Sequence, residues 1–127
     1  MKPETRLQID LVEWLNQAYP EALFTSTQAG DRRSKLAAMM MKRMGYRNGT
    51  PDLIFFEPCQ GFHGLVVELK TEVGTWSISQ REFRDQAIRR GYKYVVAYGY
   101  SLAKQEIINY MSGNRYTKNP YETGKGR

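Results

Sequence analysis

The stretch "GTPDLIFFEPCQGFHGLVVELK" (Gly49–Lys70) decides the fold. Two apolar runs, Asp52 to Phe56 and Leu65 to Lys70, flank "EPCQGFHG", whose proline and two glycines mark a turn region. The runs read as strands, yet each carries charge, which costs free energy unless something pairs with it or uses it. Strand side chains alternate between faces, so Glu68 and Lys70 project from the same side. If the strands pair antiparallel about a turn at Gln60 and Gly61, facing residues have numbers totalling about 121. Asp52 then lies opposite the region of Glu68 and Lys70, and the three charges converge at one end of the hairpin.

Two carboxylates in that position repel, and each pKa rises unless a cation sits between them. A hard divalent ion, Mg²⁺ or Mn²⁺, meets that need with one or two carboxylates, waters and substrate phosphate. The carbonyl oxygen of Leu69 is a further candidate ligand beside Asp52 and Glu68, and Lys70 stands where it would steady an attacking hydroxide or charge developing on phosphorus. Taken singly, these features are bland. A Glu-x-Lys on a strand is commonly an exposed ion pair, and Asp after Pro is commonly turn chemistry. The joint geometry is what restricts the reading.

Working outward, Glu4 to Tyr19 has helical periodicity, with Leu7, Leu11, Leu15 and Ala18 on one stripe and Pro20 as the stop. Glu4 falls within that stripe and is expected to point inward, with Glu13 outward. Asp31 to Gly45 reads as a second helix in which Met40, Met41 and Met44 fill core space. After the hairpin, a helix is expected from about Ser79 to Arg90, with Ser79 and Glu82 spaced as a capping box, Gln80 in its first turn and Gly91 as the stop. "YKYVVAYGY" contains a third strand, and Ser101 is placed to cap a last helix. The order describes a small α/β domain with a mixed sheet over residues 1–111, followed by a basic, polar tail at 112–127.

The chain has 127 residues, room for one domain, and 19 basic against 13 acidic residues. The net charge of +6 favours an anionic partner such as nucleic acid. Basic residues concentrate at Arg32, Arg33, Lys35, Lys42, Arg43 and Arg47. The single cysteine, Cys59, excludes an internal disulfide and a cysteine-based zinc site. With no apolar run of membrane-spanning length and no signal-peptide core at the start, a cytoplasmic protein without a membrane partner is expected. His63 is the only histidine, so nuclease mechanisms built on a histidine pair lack their parts.

These residues carry a family resemblance. "GTPDL", an "ELK" whose Glu68 follows Asp52 after fifteen intervening residues, and "SISQREFRDQAIRRGYKYVVAYG" stand in order with an acidic helix start, "ETRLQIDLVEWL". The set resembles the PD-(D/E)XK nuclease superfamily, and within it the VRR-NUC (virus-type replication-repair nuclease) family, over about Glu4 to Met111. It departs upstream, where "TQAGDRR" stands in place of an Asn-Gly turn. The resemblance implies a restriction-endonuclease-like α/β core and metal-dependent cleavage of DNA. Asp52 and Glu68 would be metal ligands, Lys70 the catalytic lysine, Glu4 the helix-borne acid and Gln80 the glutamine that orients site groups. Short stand-alone members are similar to virus or phage Holliday-junction resolvases of DNA repair and recombination, which act as homodimers. The alternative is a nuclease-like fold that recognises branched DNA without cutting it.

Overall fold

The computed structural model describes residues 1–27, 34–71 and 76–113. The elements run α1 (Pro3–Ala18), β1 (Phe24–Ser26), α2 (Lys35–Arg43), β2 (Leu53–Phe55), β3 (Leu65–Lys70), α3 (Ile78–Arg89), β4 (Lys93–Tyr98) and α4 (Tyr100–Met111). The strands form one sheet in the order β1-β2-β3-β4, antiparallel at the first two steps and parallel at the third. A parallel neighbour demands a crossover, which α3 supplies. This is the small mixed α/β sheet flanked by helices that the sequence predicts.

The hairpin turns where expected. Cys59 and Phe62 exchange backbone hydrogen bonds of 3.2 and 2.9 Å around Gln60 and Gly61, whose φ angles of 56° and 84° suit a two-residue hairpin loop. Gln60 is held in that left-handed conformation by its side-chain amide, which donates to the Asn109 and Tyr110 carbonyls of α4 at 2.9 Å. Leu53 pairs with Val67, Ile54 with Val66 and Phe55 with Leu65. These numbers total 120 rather than 121, and the register carried one residue further sets Asp52 opposite Glu68.

Alternation divides the sheet into two faces. Leu53, Phe55, Leu65, Val67, Leu69, Val95 and Ala97 form the core with Leu7, Leu11 and Leu15 of α1 and with Ala103, Ile107, Tyr110 and Met111 of α4. The other face holds Asp52, Ile54, Val66, Glu68 and Lys70, beside α3, which packs on β4.

Several local expectations are corrected. β1 was not anticipated, because three residues are too short to show a period; Phe24 earns its place by stacking on Phe55 with centroids 5.2 Å apart. Helix α3 begins one residue early, at Ile78, and its N-cap lies two residues early, at Ser77. Its capping box is Ser77 with Gln80, not Ser79 with Glu82. Helix α4 starts at Tyr100 behind Gly99 (φ 95°), so Ser101 lies inside it and caps nothing. Ala18 is exposed at the end of α1, and Glu4 is exposed in its first turn rather than turned into the core. The largest departure is α2, in which no residue is buried and Met40 and Met44 are 44% and 83% exposed. Its methionines are not core filler. Residues 31–33 of the expected second helix, most of "TQAGDRR" and tail residues 114–127 lie outside the described residues.

Candidate active site

The hairpin register and the start of α3 together assemble the site. Immediately before β2, the Asp52 N–H donates to the Val67 carbonyl at 3.0 Å, while its Oδ2 accepts the Leu69 N–H at 2.7 Å. The carboxylate thus stands in for a backbone carbonyl in the ladder and is fixed against β3. Glu68, opposite, is only 6% exposed. Its Oε2 lies 3.5 Å from the Lys70 ammonium and accepts from Gln80 Nε2 at 3.2 Å. The Gln80 Oε1 in turn accepts the Ser77 N–H at 3.1 Å and Lys70 Nζ at 3.5 Å.

Gln80 therefore has two tasks. As the third residue of the capping box it satisfies the helix start, and the same amide bridges Glu68 and Lys70. Its orientation follows from its neighbours, oxygen toward donors and nitrogen toward the carboxylate. Ahead of the hairpin, Gly49 (φ 82°) lies so close to α3 that a Cβ would come within 2.2 Å of the Ser79 carbonyl oxygen. Only glycine brings the "GTPD" loop against the start of α3, which is how Asp52 and Gln80 come to share one site.

Electrostatics sharpen the picture. Burial, followed by the charge of Asp52, pushes the Glu68 carboxyl up to about 7 against the pull of Lys70. Burial also raises Asp52; the Leu69 amide opposes that rise, Glu4 adds to it and Lys70 lowers it. Glu4 thus acts on both carboxylates through its charge, although no hydrogen bond joins it to them. The pair is short of positive charge.

A divalent cation fits that deficit. Glu68 Oε1 is buried without a hydrogen-bond partner, an arrangement that costs free energy unless a ligand uses the atom. The donors are all oxygen, the preference of a hard ion. Lys70 O accepts from the Gly99 N–H on the β4 side, so the Leu69 carbonyl, which alternates with it, faces the Asp52 side. Among the described residues no group of three His, Cys, Asp or Glu side chains is gathered to hold a metal. The chain offers two carboxylates and a carbonyl, leaving positions for water and phosphate.

Of the basic residues expected to meet nucleic acid, Lys35, Lys42, Arg43 and Arg47 are exposed on α2 and the loop after it, while Arg32 and Arg33 lie outside the described residues. Sequence reasoning missed Tyr94, which β4 aligns with Val66 on the site face. Its hydroxyl is buried and unpartnered, and burial, then the charges of Glu68 and Asp52, raise its pKa. It remains a neutral donor beside the carboxylates. Trp76 packs against its ring at 6.0 Å with the Arg84 guanidinium 5.0 Å above the indole. The alternation of "YKYVV" carried the only signal for Tyr94.

Comparisons with known proteins show the family and the fold. Residues 2–101 match the family model described as the VRR-NUC domain. A solved structure described as a VRR_NUC domain protein superposes with a TM-score of 0.70 at 24% identity, over 90% of this chain and 92% of the other, a likeness of fold. Among curated proteins no sequence matches.

Proposed function

The chain belongs to the VRR-NUC family and so carries a nuclease-type domain; on that premise we propose that it is a metal-dependent, structure-selective DNA endonuclease resolving four-way junctions as a homodimer. The observation that carries the proposal is the buried Glu68 carboxylate, facing Asp52 with one oxygen unpaired and the other held by Lys70 and Gln80.

Asp52 and Glu68, with the Leu69 carbonyl, would hold Mg²⁺ or Mn²⁺, which supplies Lewis-acid charge for the scissile phosphate and acidifies water. The protein's own groups do the positioning. The Leu69 amide fixes Asp52, Gln80 clamps Glu68 and Lys70 into one geometry, and Lys70 sets positive charge where negative charge grows on the phosphate. Glu4, at the rim, adds negative charge that favours cation binding. Exposed Lys42, Arg43 and Arg47 would hold flanking phosphates through salt-sensitive contacts.

One site cuts one strand, so resolving a junction takes two copies related by a twofold axis. Support for a partner comes from α2. A nine-residue helix with no fully buried residue is too short to be stable alone, and Leu36 and Met40, with Met44 at its C-cap, form an exposed stripe along it. A second copy covers that stripe in this reading. No helix among the described residues is long and apolar enough to cross a membrane.

The test is cleavage of a four-way junction, a flap and a linear duplex in Mg²⁺ and in Mn²⁺, with wild type beside Lys70→Ala. Symmetric nicking of the junction by wild type alone is expected. Tight binding without turnover in either metal would leave the non-cleaving recognition module. Cutting by both proteins would put the active site elsewhere.

A further inference from the structure

A groove of about 890 Å³ lies on the same face of the sheet as the carboxylates. Its floor includes Ile54 and Val66, a register pair, and each is the next residue on that face after Asp52 and Glu68 respectively. Site and groove are therefore continuous. Helix α3 forms one wall, reaching from Ser79, beside Gln80, to Arg90, and the end of α2 with its following loop forms the other.

The lining combines two chemistries. Phe56, the residue after β2, is 48% exposed, and Tyr46, Phe83 and Tyr92 join it. Lys42, Arg47 and Arg89 also line the groove and have no ion pair among the described residues, whereas the groove's Asp85 is taken by Arg84. Cations remain in excess over Glu82. On the helical wheel Lys42 lies nearly opposite Met40, so α2 turns its cation to the groove and its apolar stripe away.

One exposed ring, Phe56, beside three half-buried ones, Tyr46, Phe83 and Tyr92, with unpaired cations around them suits a single-stranded nucleic acid, whose bases stack on the rings while its phosphates meet the cations. An apolar peptide would leave the cations unused, and a small anion would leave the rings unused. A cavity of this size is of the order that encloses a small ligand, so it admits one or two extruded nucleotides and no duplex. We propose that the groove seats unpaired nucleotides of the substrate strand next to the scissile phosphate. The position of that phosphate rests on the nuclease reading; the groove's affinity for unpaired nucleotides does not.

The experiment uses full-length Asp52→Asn protein and fluorescent duplexes, blunt or with a short single-stranded extension containing 2-aminopurine. The extension is expected to tighten binding about tenfold, the scale of one stacked base, with quenching of the 2-aminopurine. Phe56→Ala and Arg89→Glu, both at exposed positions, should each erase that gain while the protein still unfolds in one cooperative transition well above the assay temperature. Lys104→Glu, on α4 across the sheet, should keep it. An extension that adds no affinity, or a gain that survives both substitutions, overturns the proposal. Cleavage by wild type without any preference for extensions would overturn the groove and keep the nuclease. Extension binding that depends on Phe56, in a protein that never cuts, would keep the groove and sink the nuclease. If the substitutions instead convert a dimer to a monomer in sedimentation and leave extension binding unchanged, the groove is a face between copies and the proposal falls.

Discussion

On one face of the sheet Leu53, Phe55, Val67 and Leu69 are sealed beneath α1 and α4; on the other, at the same strand positions shifted by one, Asp52, Glu68 and Lys70 stand next to Ile54 and Val66, which floor an open groove. The first face buries apolar area and leaves little unsatisfied. The second holds two repelling carboxylates, two buried oxygens without a partner and an aromatic ring half in water. A domain of this size can bear those costs because the packed face supplies stability for both. Stability and chemistry are thus separated by the pleat of three strands, and substitutions on the two faces should differ in kind.

The sharpest contrast is expected at Asp52. Asp52→Asn should lower the cleavage rate ~10²–10³-fold, a loss typical of removing a group that stabilises the transition state. Its melting temperature should hold or rise, because the amide oxygen still accepts from Leu69 while the repulsion of Glu68 is gone. A large drop in melting temperature would show that the charge serves folding.

Next in size is the packed face. Leu11, fully buried, should cost ~2–5 kcal/mol as Leu11→Ala in urea unfolding, the range for a core cavity. Phe56→Ala should cost less than about half of that. Equal losses would mean that something in solution covers Phe56, and the two faces would no longer differ.

A pH titration probes the open face directly. Because Glu68 is pushed up from 4.5 to about 7 in the folded protein, the native state binds more protons than the unfolded chain between those values. Metal-free stability should therefore fall as pH rises from about 4.5 to 7, by up to ~3 kcal/mol. Saturating Mg²⁺ should flatten the slope by stabilising the ionised pair. A profile that rises with pH in EDTA would contradict the repulsion argued for the site.

The smallest effect is assigned to Tyr94→Phe. Removing an unpartnered buried hydroxyl should leave metal-free stability unchanged or raise it by up to ~1 kcal/mol, whereas a bonded hydroxyl would cost about as much. Thermal melts with and without Mg²⁺ distinguish the two.

Legibility followed the range of the forces involved. Alternation in "LVVELK" put Glu68 and Lys70 on one side, and the turn at Gln60 and Gly61 set Asp52 opposite Glu68 to within one residue of register. Gln80 is legible as a first-turn residue and, through the family resemblance, as a site residue; its part in the cap is not, because "SISQRE" offers both Ser77 with Gln80 and Ser79 with Glu82 at capping-box spacing, and the structure uses the first. The methionines of α2 were misread because an apolar helical stripe looks the same whether its own chain or another molecule covers it. For Tyr94 the alternation of "YKYVV" gives a face but no role, since it does not distinguish this tyrosine from Tyr92 and Tyr98 on the same side of the strand pattern.

By itself, then, the sequence determined the hairpin, the packed stripe of α1 and the convergence of Asp52, Glu68 and Lys70, because steric alternation and turn geometry act between near neighbours in the chain. Tertiary structure alone decided that Gln80 bridges Glu68 and Lys70, that Tyr94 faces the carboxylates, that α2 stands exposed and that a groove continues from the site. Those outcomes depend on burial and on hydrogen bonds between residues far apart in sequence, which no local pattern encodes.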